Sequence, residues 1–246
     1  MIEDDEPNKF RSALRWAVLR VLMVGCCFAI WFAVMNPKSP LSIAWNPFTP
    51  LNVKGMVTPM TGWKLRRALA DTDSCMAALE TAATVSRVPD FEESAVCHIR
   101  PQVTVRQVGE ASLKPLNTRC QTALRMAMWE EHGIQPAAER HFDQPVREIL
   151  HLSSYSCRQI RTLQGDNSRM STHATADAVD VSGFILQDGK KITLLENWEG
   201  PKPEASFLLD VADSACEWFR VTLSPEYNAL HADHFHLQHT GWGLCR

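Results

Sequence analysis

Residues 231–239 read HADHFHLQH, so four of the nine histidines in the chain fall within nine positions. His234 and His236 are two residues apart, and side chains at that spacing in a β-strand point to the same face of the sheet. The alternation predicts a last strand over residues 234–238. Two imidazoles on one face indicate a binding site, whose other members must come from elsewhere in the chain.

A second polar stretch lies upstream, where residues 171–180 read STHATADAVD. It supplies His173 and Asp180, which are seven residues apart and too distant for one short helical turn. We expect a loop to deliver His173 and a strand to deliver Asp180. With His236 they form a two-histidine, one-carboxylate set, which suits a catalytic zinc site with an open fourth position. We therefore predict one zinc ion per chain.

Hydrolysis at such a site also needs groups that take and return a proton. The candidates are His231, Asp233 and His234. His234 shares the face of His236, and His231 lies one short loop upstream. Strict alternation turns Asp233 away, unless the strand begins after it. The assignment among the three stays open, and a lone histidine in a strand is more typical of an ordinary surface or core position.

The bulk composition excludes some functions. The chain has 246 residues, a formal net charge of -3, and 45% hydrophobic and 22% charged residues. These values are typical of a globular protein. No basic field marks a nucleic-acid partner, so we expect none.

The N-terminal region predicts a membrane anchor. Residues 16–35 read WAVLRVLMVGCCFAIWFAVM, an apolar run of the length that a transmembrane helix needs, interrupted only by Arg20. Arg20 lies near one end and can snorkel to the headgroups. The basic residues at or before the start of the span favour a cytoplasmic segment over residues 1–15 and export of the rest. These basic residues are Lys9, Arg11, Arg15 and Arg20.

Two other interpretations of this segment are weaker. A cleaved signal peptide has a shorter apolar core and a small-residue cleavage site, and residues 36–38 (NPK) offer none. A lipoprotein signal would end at Cys26, but the apolar run continues past it. An uncleaved anchor in the bacterial inner membrane, with a periplasmic C-terminal domain, is therefore the prediction.

Beyond the span, five prolines in residues 36–62 predict an extended linker, and residues 63–246 form the domain. Helices and antiparallel strands intermix without a βαβ rhythm, which indicates an α+β fold with a small antiparallel sheet and flanking helices. The predicted helices are 63–83 with a break near 71–73, 118–132 stopped by Gly133, 136–142, and 203–223. The predicted strands are 98–105, 146–155, 178–186, 192–195 and 234–238, with a polar loop over 159–170.

Cysteine usage agrees with export. Cys26 and Cys27 lie in the span, and the other six lie in the domain, where an even number in an exported protein indicates three disulfides. Six cysteines permit 15 pairings. We predict Cys75–Cys97, Cys120–Cys157 and Cys216–Cys245. A cysteine zinc site is the weaker alternative, because the sequence has no CxxC pair.

The region from about Cys75 to Cys245 resembles the bacterial extensin-like C-terminal domain family. The matching strings are SYSCR at 154–158, SxHA at 171–174, AxDVSGF at 178–184, DG at 188–189 and NxxHxDHFHL at 228–237. The histidine and aspartate strings are also similar to those of zinc D-alanyl-D-alanine peptidases and penicillin-insensitive murein endopeptidases. The resemblance implies the fold that these enzymes share with lysostaphin and the hedgehog signalling domain.

The resemblance also implies roles for individual residues. It implies zinc held by His173, Asp180 and His236, with His231 and His234 assisting catalysis. Asp233 stands where other relatives carry a glutamate, and is one methylene shorter.

Arg158 matches an arginine near the active site of relatives, and would bind a substrate carboxylate or stabilise an oxyanion. A surface arginine beside a disulfide is the alternative. Ala176 replaces a glycine usual in relatives, and Asp177 adds a carboxylate near the site.

These inferences combine into one functional prediction. The chain is expected to be a membrane-anchored, periplasmic, zinc-dependent peptidase (a hydrolase) that acts on peptidoglycan peptides. A non-catalytic cell-wall-binding or scaffold domain on the same fold is the alternative from another class. A disulfide-stapled structural domain without metal is the third reading.

Overall fold

A long apolar helix, α1 (Glu6–Met35), begins the described part of the chain. Within it, Arg11–Met35 has a mean hydropathy of 2.3, and of the residues described this is the one helix long and apolar enough to cross a membrane. It contains the predicted span. With three disulfides in the domain, it is compatible with a single-pass membrane protein or a secreted one.

The computed structural model describes residues 6–36, 39 and 41–246. Residues 1–5 of the predicted cytoplasmic segment, and residues 37, 38 and 40 of the predicted linker, lie outside it. The chain divides into two compact units. One contains α1 with residues 41–49 and 56–64, and the other contains residues 50–55 and 65–246. Leu51 and Val53 are buried in the core of the second unit.

The second unit is built on β-strands. The strands are β1 (Ala83–Arg87), β2 (Phe91–Glu92), β3 (His98–Ile99), β4 (Gln102–Val108), β5 (Ala111–Arg119), β6 (Val146–His151), β7 (Gln159–Thr162), β8 (Gly165–Met170), β9 (Ala178–Leu186), β10 (Lys191–Thr193), β11 (Val221–Leu223), β12 (Phe235–Gln238) and β13 (Leu244–Cys245). Nine of them form one sheet, in the order β1-β4-β5-β6-β9-β12-β11-β13, with β10 paired to β9. Two-stranded ribbons β2–β3 and β7–β8 are separate from it.

The mixture of helices and a largely antiparallel sheet agrees with the predicted class, but the prediction of a small sheet is wrong. Strand β5 was missed because Lys114 and Pro115 interrupt its apolar pattern. Both are exposed, so the buried positions Ala111 and Leu113 are followed by Leu116 and Thr118, out of phase with the first pair. The polar segment 159–170, predicted as a loop, forms the β7–β8 ribbon, and its exposed residues carry no apolar alternation to indicate strands.

The helices beyond α1 are α2 (Thr61–Ala70), α3 (Thr72–Leu79), α4 (Cys120–Trp129), α5 (Gln135–Phe142), α6 (Leu194–Asn197) and α7 (Glu204–Trp218). The predicted break near 71–73 falls between α2 and α3. The predicted helix over 203–223 ends at Trp218, and residues 221–223 form β11 instead. The predicted strand over 192–195 ends at Thr193, where α6 begins, and that over 146–155 ends at His151.

Trp129 at the end of α4 lies at the centre of the core. Its ring packs edge-on against Phe184, Phe219 and Phe235, with centroids 6.0–6.3 Å away. Its Nε1 donates to the carbonyl of Val211, 3.0 Å away on α7. Burying side chains of this size supplies much of the hydrophobic free energy that fixes α4 and α7 on the sheet.

Gly133 does not stop the helix, which corrects the sequence prediction. A π-helical turn, Glu130–Ile134, carries the chain directly from α4 into α5. A Cβ at position 133 would lie 2.4 Å from Ser214 Oγ on α7. The glycine therefore permits a close helix approach instead of terminating a helix.

The disulfides correct two of the three predicted pairs. The structure joins Cys75–Cys120, Cys97–Cys157 and Cys216–Cys245, so only the last prediction is confirmed. Pairing of sequence neighbours fails because α3 packs against α4, and because the β2–β3 ribbon packs near the segment that follows β6.

Candidate metal centre

The pairing of β9 with β12 places two of the predicted ligands opposite each other. The strands are antiparallel, and His236 is the register partner of Asp180. Opposed residues of such a pair project from the same face of the sheet. His236 Nδ1 accordingly lies 2.9 Å from Asp180 Oδ1.

The third predicted ligand, His173, comes from a one-turn 3-10 helix, Thr172–Thr175, just before β9. Ser171 begins this turn, and its hydroxyl accepts a hydrogen bond from the backbone N–H of His173. Ala176 ends the turn in the left-handed conformation, with φ 52° and ψ 31°. His173 Nε2 is thereby held 3.0 Å from His236 Nδ1 and 3.2 Å from Asp180 Oδ1.

These three atoms fit a tetrahedral metal ion. Ligand atoms about 2.0–2.1 Å from a tetrahedral zinc ion stand about 3.3 Å from one another, and the triangle has sides of 2.9–3.2 Å. Among the described residues, His173, Asp180 and His236 form a group able to hold a metal ion. Two imidazoles and one carboxylate leave the remaining tetrahedral position for water or substrate.

The outer hydrogen bonds orient both rings for this purpose. His173 Nδ1 lies 3.0 Å from the carbonyl of Ser154, so it carries the proton and leaves Nε2 with a lone pair. The side-chain amide of Gln238 lies 2.7 Å from His236 Nε2. The amide nitrogen is the atom placed there, so it donates to Nε2, and the proton of the neutral His236 ring lies on Nδ1, facing Asp180, from which a metal ion would displace it. Each histidine therefore presents one nitrogen to the shared centre.

The burial and the charge of His173, Asp180 and His236 favour binding of a cation. His173 and His236 are 1% and 8% exposed. Burial opposes ionisation of Asp180, but the interactions of its carboxylate with the rings of His173 and His236 outweigh it and hold the pKa of the carboxyl well below its usual range. Burial lowers the pKa of His236 and favours its neutral form. An ionised carboxylate beside neutral imidazole is the state that metal binding requires.

The structure also brings two of the candidate proton carriers to this centre. His234 Nε2 lies 3.7 Å from Asp180 Oδ1. The ring of His231 lies 5.4 Å from that of His234 and 5.9 Å from that of His236, between centroids. Burial and the neighbouring histidines His236 and His234 lower the pKa of His231 to about 4, so its ring is neutral at pH 7.

The remaining two candidates are more peripheral. The side chain of Asp233 is 54% exposed, and its Oδ1 lies 2.7 Å from His234 Nδ1. Asp233 thus contacts the centre through His234. Arg158 is half-buried at the start of the β7–β8 ribbon, where its guanidinium donates to the carbonyl of Gln159 over 3.3 Å. Its positive charge contributes to the lowered pKa of His231.

A second polar group lies behind the turn that carries His173, and sequence reasoning missed it. It contains Arg119, Thr122 and His239, together with Asp177, which was expected only as an extra carboxylate near the site. Asp177 Oδ1 pairs with Arg119 Nη1 at 2.6 Å. His239 Nδ1 lies 3.0 Å from Thr122 Oγ1. The period of two along a β-strand was the signal that could have indicated this group, because it places His239 and His236 on opposite faces of the sheet.

Residues 73–246 match the family described as "Extensin-like protein C-terminus". The chain belongs to the extensin-like C-terminal family. The matched region contains all three predicted ligands and all six disulfide-bonded cysteines, and the resemblance to the extensin-like C-terminal family is confirmed. Searches of curated proteins and of solved structures found no match to this extensin-like protein.

Proposed function

We propose that this extensin-like protein is a zinc-dependent peptidase of peptidoglycan peptides. The supporting observation is the convergence of His173 Nε2, Asp180 Oδ1 and His236 Nδ1 within 3.2 Å of one another, although His173 and His236 are 63 residues apart in the chain. The histidine and aspartate strings are also similar to those of zinc D-alanyl-D-alanine peptidases and murein endopeptidases, which share a fold with the hedgehog domain. This similarity supports hydrolysis of a peptide bond as the reaction.

A zinc ion held by His173, Asp180 and His236 would supply Lewis acidity to a scissile carbonyl and would activate water near neutral pH. The chain's own residues handle the proton. With its Nδ1 proton donated to Asp233, His234 presents the Nε2 lone pair toward Asp180. His234 Nε2 takes the proton of the attacking water and returns it to the amine nitrogen as the C–N bond breaks. Asp233 orients the ring and stabilises its cationic form.

His231 and Arg158 are proposed to bind the substrate. Asn228 Oδ1 accepts from His231 Nδ1 over 2.8 Å, which leaves His231 Nε2 as an acceptor for a substrate N–H group. The His231 ring is neutral at pH 7, so no charge is buried beside His234 and His236. Arg158 offers a forked donor for a substrate carboxylate or for the oxyanion that develops during hydrolysis.

The proposed location follows from the apolar helix and the disulfides. Helix α1 is proposed to anchor the protein in the inner membrane as a single pass, with the disulfide-bonded domain in the oxidising periplasm. Peptidoglycan peptides are the partner accessible to a domain held there. The membrane itself is the second partner, through α1.

Digestion of purified cross-linked muropeptides tests the proposal. The full chain in detergent should bind one zinc ion and release new fragments, detected by mass spectrometry, that a chelator suppresses. His173→Ala should lose both zinc and activity, whereas His141→Ala, whose ring pairs with Asp210 on α7, should retain both. Digestion that survives chelation, or that His173→Ala retains, would contradict the proposal. Bound zinc without new fragments would favour the non-catalytic wall-binding alternative.

A further inference from the structure

Three side chains hold the turn between His173 and Asp180 from behind. We call them the clasp: Thr122 on α4, Asp177 before β9, and His239 after β12. Thr122 Oγ1 lies 3.0 Å from His239 Nδ1 and donates to the carbonyl of Ala176 over 2.9 Å. The backbone N–H of His239 donates to the carbonyl of Asp177 over 3.0 Å. The clasp thus connects the ligand turn to α4 and to the strand that carries His236.

The clasp holds the backbone at Ala176, which with Asp143 is one of two non-glycine residues of positive φ in the described part of the chain. Ala176 has φ 52°, in the left-handed region that residues other than glycine seldom adopt. This conformation turns the chain from the 3-10 helix of His173 into β9, and therefore sets the position of His173 relative to Asp180. The hydrogen bond from Thr122 to the Ala176 carbonyl fixes that turn from the side away from the ligands.

An ion pair with Arg119 holds the carboxylate of Asp177, the acidic member of the clasp, away from the three proposed ligands. Asp177 Oδ1 lies 2.6 Å from Arg119 Nη1, and its Oδ2 accepts from Thr175 Oγ1 over 2.7 Å. His239 Nε2 lies 3.5 Å from the same Oδ1. Both oxygens are occupied, so Asp177 does not compete with Asp180 as a ligand. An excess carboxylate would otherwise be attractive to a divalent cation.

The clasp is shielded from water, which strengthens its hydrogen bonds. Thr122 is fully buried, and the side chains of His239 and Asp177 are 10% and 16% exposed. Burial is the largest cause that lowers the pKa of His239, to about 4. At neutral pH the contact between its Nδ1 and Thr122 therefore joins two neutral groups.

We propose that Asp177 and His239 are positioning residues of the metal centre, which hold the turn of His173 in register with the strand of His236. This inference rests on the proposed metal-binding function. Its consequence is that loss of the clasp misplaces His173 while leaving all three ligands in the chain. Outer groups that orient ligands typically contribute 10- to 100-fold to metal affinity. We expect loss of the clasp to weaken zinc binding by about that factor.

The test measures zinc affinity of the full chain in detergent by competition with a chromophoric chelator. Asp177→Asn, His239→Phe and Thr122→Val should each raise the Kd about 10- to 100-fold. Thr122→Ser, which keeps the hydroxyl, should retain the wild-type Kd. The matched control is Asp210→Asn, which breaks a similar arginine–aspartate–histidine group formed with Arg140 and His141 on α5 and α7, helices that carry no proposed ligand.

Cobalt substitution adds a readout that a loss of general stability would not change. The visible absorption of bound cobalt reports ligand geometry, and it should shift in Asp177→Asn and His239→Phe but not in Asp210→Asn. If Thr122→Val fails to fold, the size-matched Asp177→Asn decides the outcome.

The positioning role of the clasp would be overturned if Asp177→Asn and His239→Phe kept the wild-type Kd and cobalt spectrum while His173→Ala lost zinc. The proposed function would then remain intact. A wild-type chain that binds no zinc would overturn both.

Discussion

Asp180 and His236 are register partners on neighbouring antiparallel strands, and Asp180 Oδ1 lies 2.9 Å from His236 Nδ1. The sheet itself therefore supplies two of the three proposed ligands. The third, His173, comes from the turn that leads into the same strand as Asp180. A site built on paired strands is more rigid than one built on loops alone, and this rigidity favours a fixed coordination geometry.

Asp180→Asn should abolish stoichiometric zinc binding. The substitution keeps the size of the side chain but replaces the ionised carboxylate by a neutral amide, which removes the only negative charge in the ligand set. Elemental analysis of the purified chain should find about one zinc ion in the wild type and almost none in the variant. Asp188→Asn, in the exposed turn between β9 and β10, is the control and should retain the metal.

Much of this site could be predicted, because its residues follow the period-2 rule of strands. That rule places His234 and His236 on one face, and the predicted strand over 178–186 has the observed bounds. The three predicted ligands do converge in space, while their binding of zinc stays a prediction. The register that sets His236 against Asp180 joins residues 56 apart, and no local pattern specifies such a pairing.

Other features depend on tertiary contacts that the sequence does not indicate locally. Cys75 pairs with Cys120 because α3 packs against α4, and no spacing rule selects that pairing from the 15 available. The sequence does not predict the clasp, because Thr122 lies within the predicted helix 118–132 and His239 lies just beyond the predicted strand 234–238. Their contact exists only once α4 lies against the sheet.

Ala176→Gly should stabilise the domain slightly. Glycine removes the cost of the left-handed conformation, which is about 1–2 kcal/mol for other residues. It also makes the unfolded chain more flexible, which offsets about 0.5–1 kcal/mol of that gain. The expected net increase in the free energy of unfolding, measured by chemical denaturation, is about 0–1.5 kcal/mol. A marked loss of stability would show that Ala176 is not strained.

Glu130 should make stability depend on pH. Its side chain is buried against the turn between β4 and β5, and burial raises the pKa of its carboxyl from 4.5 to about 7 despite hydrogen bonds from Gln135, Glu110 and Ala111. Between these two pH values the folded protein binds more protons than the unfolded chain. The free energy of unfolding should therefore fall as pH rises from about 4.5 to 7, by at most about 3 kcal/mol.

The Glu130→Gln variant tests this origin of the pH dependence. The amide cannot ionise, so denaturation curves recorded from pH 5 to 8 should lose most of that slope. Glu139→Gln, on the exposed side of α5, should keep the wild-type slope. An unchanged pH profile in Glu130→Gln would assign the dependence to other groups.

Removal of the Cys216–Cys245 disulfide should weaken the fold without releasing zinc. The bond joins α7 to β13 and closes a segment of 29 residues, whose loop entropy corresponds to about 3.6 kcal/mol in the chain-entropy description. The double variant Cys216→Ala/Cys245→Ala should show about that loss in chemical denaturation. Its zinc affinity should match the wild type, because β12 is held by β9 on one side and β11 on the other, independently of β13. A large fall in zinc affinity would show instead that the C-terminal strand helps to position His236.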